Sequence, residues 1–110
     1  MNARELALDL LNRWPKSRLL ADELLDRALA ESSLGHSDRA FATELFYGCL
    51  RRKLSLEFLF GQLATKPPRP VVANAIRLGL YQLFFLGTPA HAAVNETVAL
   101  VRTHAGEAET

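Results

Sequence analysis

Apolar residues recur every three or four positions along almost the whole chain, and that spacing restricts it to packed α-helices. Ala3, Leu6, Ala7, Leu10, Leu11 and Trp14 share one face of a first helix. Pro15 stops it, since a proline offers no N–H to continue the ladder. Ser17 is placed to cap a second helix by accepting a hydrogen bond from a free backbone N–H. The apolar stripe of that helix is Leu20, Leu24, Leu25, Ala28 and Leu29. Gly35 follows Ser32-Ser33-Leu34 and suits the left-handed turn common after a helix. Ser37 or Asp38 caps a third helix, with Phe41, Leu45 and Cys49 on one buried line and Ala42 and Phe46 widening it. A mid-helix glycine costs about 1 kcal/mol relative to alanine, so Gly48 signals the close approach of another backbone. Arg51-Arg52-Lys53 suits the negative end of the helix dipole. Ser55 then caps a fourth helix with Leu56, Leu59, Phe60 and Leu63 inward.

Lys66-Pro67-Pro68-Arg69-Pro70 reads as a stiff connector, and Pro70 opens the next helix. That fifth helix, from about Val71 to Leu86, is apolar on almost every side, the pattern of a central buried helix. Gly87 ends it. Thr88-Pro89 opens a sixth helix carrying Val94, Val98 and Val101. From Gly106 onward the chain is small and polar, so 106–110 is expected to form a disordered tail behind a domain at 1–105. At 110 residues the chain suits one domain, because two halves would have cores too small to stand alone. No strand pattern or internal repeat is visible. The expected fold class is all-α, with about six helices.

The chemistry legible in the chain is sparse. One cysteine, Cys49, allows neither an internal disulfide nor a cysteine-cluster zinc site. It occupies an apolar helical position, as a structural thiol does. His36, His91 and His104 are far apart in sequence, and no glycine-rich phosphate loop occurs. No catalytic residue, metal or cofactor is therefore expected. The longest apolar stretch, Leu78–Leu86, contains Gln82 and is far short of the roughly 20 residues that span a bilayer. The start lacks a secretory apolar core, so a cytoplasmic location is expected. Arg77 sits between Ile76 and Leu78 in the most apolar helix and needs a carboxylate partner. Asp38, Glu44 and Glu96 are the candidates for a structural ion pair. The formal charge is only +1, from 13 basic and 12 acidic residues. Any cationic surface is therefore local. Arg4, Arg13, Lys16 and Arg18 gather around the first helix and its turn, and Arg39, Arg51, Arg52 and Lys53 at the two ends of the third. Packed side by side, these helices would offer one face that neutralises phosphates. The plain alternative is a solvated surface, since residues 1 to 30 hold five basic and five acidic side chains.

Two segments are more specific. One runs Asp38-Arg39-Ala40-Phe41-Ala42-Thr43-Glu44-Leu45-Phe46-Tyr47-Gly48-Cys49-Leu50-Arg51. The other joins Ile76-Arg77-Leu78-Gly79-Leu80-Tyr81-Gln82-Leu83 to Pro89-Ala90-His91-Ala92-Ala93-Val94-Asn95-Glu96-Thr97-Val98. Together they resemble the NusB-like family, and most of all the N-terminal domain of the Sun/RsmB-type 16S ribosomal RNA cytosine-C5 methyltransferases. The resemblance covers about residues 3 to 104. It implies an orthogonal helical bundle that lacks the family's last helix. It also implies RNA, ribosomal RNA first, as the partner, with Arg4, Arg13, Lys16, Arg18, Arg39, Arg51 and Arg52 as the contacting residues. On this reading the chain is a non-catalytic accessory domain that helps dock ribosomal RNA. The parent protein is then an S-adenosylmethionine-dependent methyltransferase, although no residue here binds that cofactor. The alternatives are a stand-alone NusB-type antitermination factor and a protein-interaction module that binds a ribosomal protein or a catalytic domain. A DNA-reading helix-turn-helix around Gly35-His36-Ser37 ranks third, because the following helix is too apolar to read a groove. A missing last helix would leave Val94, Val98 and Phe85 uncovered and favour a homodimer through that surface.

Overall fold

The computed structural model describes residues 1–63, 66 and 68–105, with the backbone alone at 63 and 105. The expected tail at 106–110 lies outside the described residues. Six α-helices form among the described residues: α1 Ala3–Arg13, α2 Ala21–Glu31, α3 His36–Arg51, α4 Lys53–Leu63, α5 Pro70–Phe85 and α6 Ala90–Leu100. A 3-10 turn, Trp14–Lys16, follows α1, and a π-turn, Val101–Ala105, extends α6. The all-α class and the helix order agree with the periodicity.

Several helix ends differ from expectation. A capping box starts α1: the Asn2 side chain accepts from the Glu5 N–H at 2.8 Å, and Glu5 accepts from the Asn2 N–H at 3.0 Å. Ser17 does not cap α2. Its hydroxyl accepts from the Leu19 N–H at 3.0 Å, which holds a local turn and delays the helix until Ala21. Leu20 thereby becomes the N-cap and is 70% exposed rather than part of the stripe. Gly35 is extended, at φ −75°, and serves as the N-cap of α3 in place of Ser37 or Asp38. Only Arg52 separates α3 from α4, so Ser55 lies inside α4. Pro70 does open α5. Gly87, at φ +70°, lets the chain turn back so that the Thr88 N–H donates to the Gln82 carbonyl at 2.9 Å. Pro89, not Thr88, is the N-cap of α6.

Helix α5 is the hub. It packs against α1, α3, α4 and α6 and buries Ala73, Ala75, Leu78, Leu80, Tyr81 and Gln82. Two glycines let neighbours come this close. The Tyr81 ring lies where a Cβ on Gly48 would stand, so the close approach expected there is made by an aromatic side chain rather than a backbone. On the other side, the Thr97 hydroxyl fills the space beside Gly79. The core continues through Leu6, Leu8 and Leu10 of α1, Leu24 and Leu25 of α2, Leu45 and Phe46 of α3, and Leu56 and Phe60 of α4. The inward side chain expected at Leu63 lies outside the described side chains.

The glycines give opposite predictions. Gly48→Ala forces the new methyl into Tyr81, and overpacking of this kind costs about 1–3 kcal/mol. Gly61 in α4 has open space around its would-be Cβ, so Gly61→Ala should gain about 0.5–1 kcal/mol. Urea unfolding monitored by circular dichroism should show midpoints moving in opposite directions.

Candidate nucleic-acid interface

The two groups of basic residues are brought together at one end only. Arg4, near the start of α1, lies over Phe41 of α3 at 5.0 Å, while Leu11 and Trp14 share a cleft with Cys49 and Leu50. Helices α1 and α3 therefore run side by side in the same direction. Their C-terminal ends collect Arg13, Lys16, Arg51, Arg52 and Lys53, with Arg18 two residues beyond the 3-10 turn. Arg4 and Arg39 stand toward the opposite end.

Arg4 is committed to the fold. Its Nε donates to the Oε1 of buried Gln82 at 2.8 Å, and its guanidinium stands 3.8 Å from Glu96. Gln82 completes the arrangement by donating to the Leu78 carbonyl at 3.0 Å. Arg39 is committed as well. It donates to the Leu29 carbonyl at 2.7 Å, which also accepts from the Ser32 N–H and hydroxyl, and so ties α3 to the last turn of α2. Both side chains therefore have a part in holding the fold together. Arg13 pairs with Asp9 at 3.4 Å, and Arg51 with Glu44 at 3.4 Å, both with well-exposed side chains that water and salt screen. Arg52 is exposed and lies over the Phe85 ring at 4.8 Å. Lys16, Arg18 and Lys53 are exposed and have no carboxylate partner among the described residues.

The partner expected for Arg77 requires correction. It is none of Asp38, Glu44 or Glu96, but Glu57 of α4, at 2.8 Å from Nε and 3.4 Å from the second terminal nitrogen. Glu96 is taken by Arg4, and Glu44 accepts from Tyr81 at 2.5 Å and from Arg51. Arg77 also donates to Asn74 at 3.0 Å and lies over Phe60 at 5.2 Å. Asn74 in turn donates to Asn12 of α1 at 2.6 Å. This network frames the cleft between α1, α3, α4 and α5, whose volume is about 180 Å³.

Cys49 is buried in the cleft floor. Burial pushes its thiol up to about 12, only partly offset by the positive charge of Arg77. His36 and His91 are exposed, and His104 stands 3.2 Å from Glu5. Among the described residues no three His, Cys, Asp or Glu side chains converge on a metal position. No helix there is long and apolar enough to cross a membrane.

Comparisons with known proteins identify the fold and the family. The crystal structure of the antitermination factors NusB and NusE in complex with double-stranded RNA matches with a TM-score of 0.82 at 23% identity. The match covers 93% of this chain and 80% of that one, and it establishes the fold as a NusB-type helical bundle. A model of the NusB family matches residues 1–110, and the chain belongs to that family. The probable ribosomal RNA small subunit methyltransferase B of Synechocystis sp. is 39% identical over 108 residues, or 94% of this chain and 24% of that protein. The Bacillus subtilis protein of the same description is 32% identical over 110 residues, or 96% of this chain and 25% of that protein. The chain thus spans about a quarter of the length of these relatives.

Two titrations follow. Cys49 should resist alkylation at pH 8 while the chain is folded and react once urea unfolds it, because reactivity requires the thiolate. Glu5 is held below its ordinary carboxylate value of 4.5, first by the Asn2 backbone hydrogen bond and then by contact with His104. Its contribution to stability is therefore complete above pH 4.5 and lost as pH falls through the lowered value. Acid unfolding of Glu5→Gln should show a shallower loss over that window.

Proposed function

We propose that the chain is a non-catalytic RNA-binding domain that helps a ribosomal RNA cytosine-C5 methyltransferase dock its substrate in the cytoplasm. The observation that carries this reading is the gathering of Lys16, Arg18, Arg52 and Lys53, exposed and with no carboxylate partner among the described residues, at one end of a near-neutral molecule. The relatives named as ribosomal RNA methyltransferases, of which the chain spans a quarter, support the choice of RNA and of a larger parent. Arg13 and Arg51 join the interface by exchanging an exposed carboxylate for a phosphate. The chemistry is electrostatic positioning: cations displace counterions from the phosphate chain, and the catalytic groups lie elsewhere in the parent.

The test is a titration of single-stranded ribosomal RNA fragments at two salt concentrations. Each phosphate contact contributes about −0.7 to the slope of log affinity against log salt for a single strand. Lys16→Gln with Arg18→Gln should flatten that slope by about 1 to 1.5 and weaken binding without lowering stability. Arg4→Ala should instead lower the unfolding midpoint, since it leaves the buried Gln82 Oε1 without a donor. Affinity unaffected by salt or by the paired Lys16 and Arg18 changes would overturn the reading.

A specific feature favours a second, compatible role in protein contact. Between α5 and α6 lies a groove of about 260 Å³ lined by Ile76, Leu80, Leu83, Val94 and Val98, with no polar surface exposed in it. Val94 is 58% exposed and Val98 42%. Phe85, expected beside them, instead stacks on Tyr81 at 5.6 Å. On this second reading the groove seats a ribosomal protein, the parent's catalytic domain or another copy of the chain. Val94→Lys should abolish any self-association seen by sedimentation and leave RNA affinity unchanged.

A further inference from the structure

We propose that the cleft between α1, α3, α4 and α5 receives a single unpaired base of the bound RNA strand, so that the interface contacts bases as well as phosphates. This inference rests on the RNA-binding reading above and adds a base-binding site to it. The cleft holds about 180 Å³, below the roughly 300–1,000 Å³ of pockets that enclose a complete small-molecule ligand or cofactor. Its size suits one planar ring system inserted from outside.

Its lining is equally selective. Trp14, Leu50 and Leu56 supply apolar walls, and Trp14 is only half-buried. Unpaired bases are commonly recognised by aromatic stacking combined with hydrogen bonds to their polar edges. The polar side of the cleft is formed by Glu57, Asn74 and Arg77. Arg77 spends three of its five N–H donors on Glu57 and Asn74, which leaves two for a base carbonyl or ring nitrogen. Glu57 has a side chain 44% exposed, so its remaining lone pairs can accept from an exocyclic amine or ring N–H. The Arg77–Glu57 pair thus presents donors and acceptors together, held in place by Phe60 and the Asn74–Asn12 hydrogen bond.

The mouth supplies charge complementarity. Lys53 lines the cleft, Lys16 follows the lining residue Pro15, and Arg52 precedes Lys53. Phosphates on either side of an inserted base would meet these cations. A neutral apolar ligand would gain nothing from them.

Trp14 is the chain's only tryptophan and therefore reports from inside the site. The experiment titrates the intact chain at low salt with fluorescein-labelled single-stranded RNA hexamers. Anisotropy reads total binding, and indole emission reads the cleft. The expected result is that the base-bearing hexamer changes both signals with one midpoint. An abasic hexamer of the same charge should bind about tenfold more weakly and leave Trp14 emission unchanged. Binding without an emission change, or equal binding of the abasic strand, overturns the cleft assignment and leaves the RNA-binding reading intact. Saturation of the emission change by uridine monophosphate at the hexamer's own concentration overturns a strand-borne base in favour of a free nucleotide. Absence of binding by every hexamer removes both readings.

Discussion

The structure depends on how closely other helices can approach α5. Tyr81 occupies the space left open at Gly48, and Thr97 occupies the space left open at Gly79. These contacts bring α3 and α6 against a helix that α1 and α4 also cover. A methyl at Gly48 would meet the Tyr81 ring, and Cys49 and Leu50 of the same helix line the cleft. Stability and site geometry are thus set by the same contact. The rigidity of a close-packed interior carries the constraint from the core to the surface.

Polar groups follow the same logic of position. At one end of the bundle, Arg4 supplies the donor for the buried Gln82 Oε1, and Arg39 ties α3 to the Leu29 carbonyl at the end of α2. At the other end, Lys16, Arg18 and Lys53 project from a turn, a loop and a helix junction. Long cationic side chains keep their charged heads in water unless an element crosses over them. The asymmetry therefore arises from where elements cross, rather than from any excess of charge in the chain.

Much of this was legible in the sequence, and the limits have identifiable causes. Helical spacing located α1, α3 and α5, and the apolar all-round pattern marked α5 as central. A mid-helix Gly48 signalled a close neighbour without showing that it would be an aromatic ring. Cap residues were harder, because Ser17 had a competing local turn and Gly35 could serve on either side of its loop. The partner of Arg77 was the clearest miss. Glu57 lies before the proline-rich connector, and only the crossing of α4 over α5 brings it within reach. The basic residues were legible one by one, while only the packing showed which of them gather at one end and that Arg4 and Arg39 also make internal hydrogen bonds.

A small cluster of cations has a consequence for how such a domain can act. On the proposed reading, about half a dozen phosphate contacts would make binding strongly dependent on salt and leave it modest at physiological ionic strength. Alone, the domain would hold RNA briefly. Joined to a larger chain, as in relatives four times its length, a weak contact acts at the effective concentration set by the connection. On the proposed reading, modest affinity is then an advantage: a substrate held too tightly by the accessory domain would slow its own release. Net charge near zero is compatible with that role, because a domain that must let go of RNA benefits from cations at one end and balanced charge elsewhere.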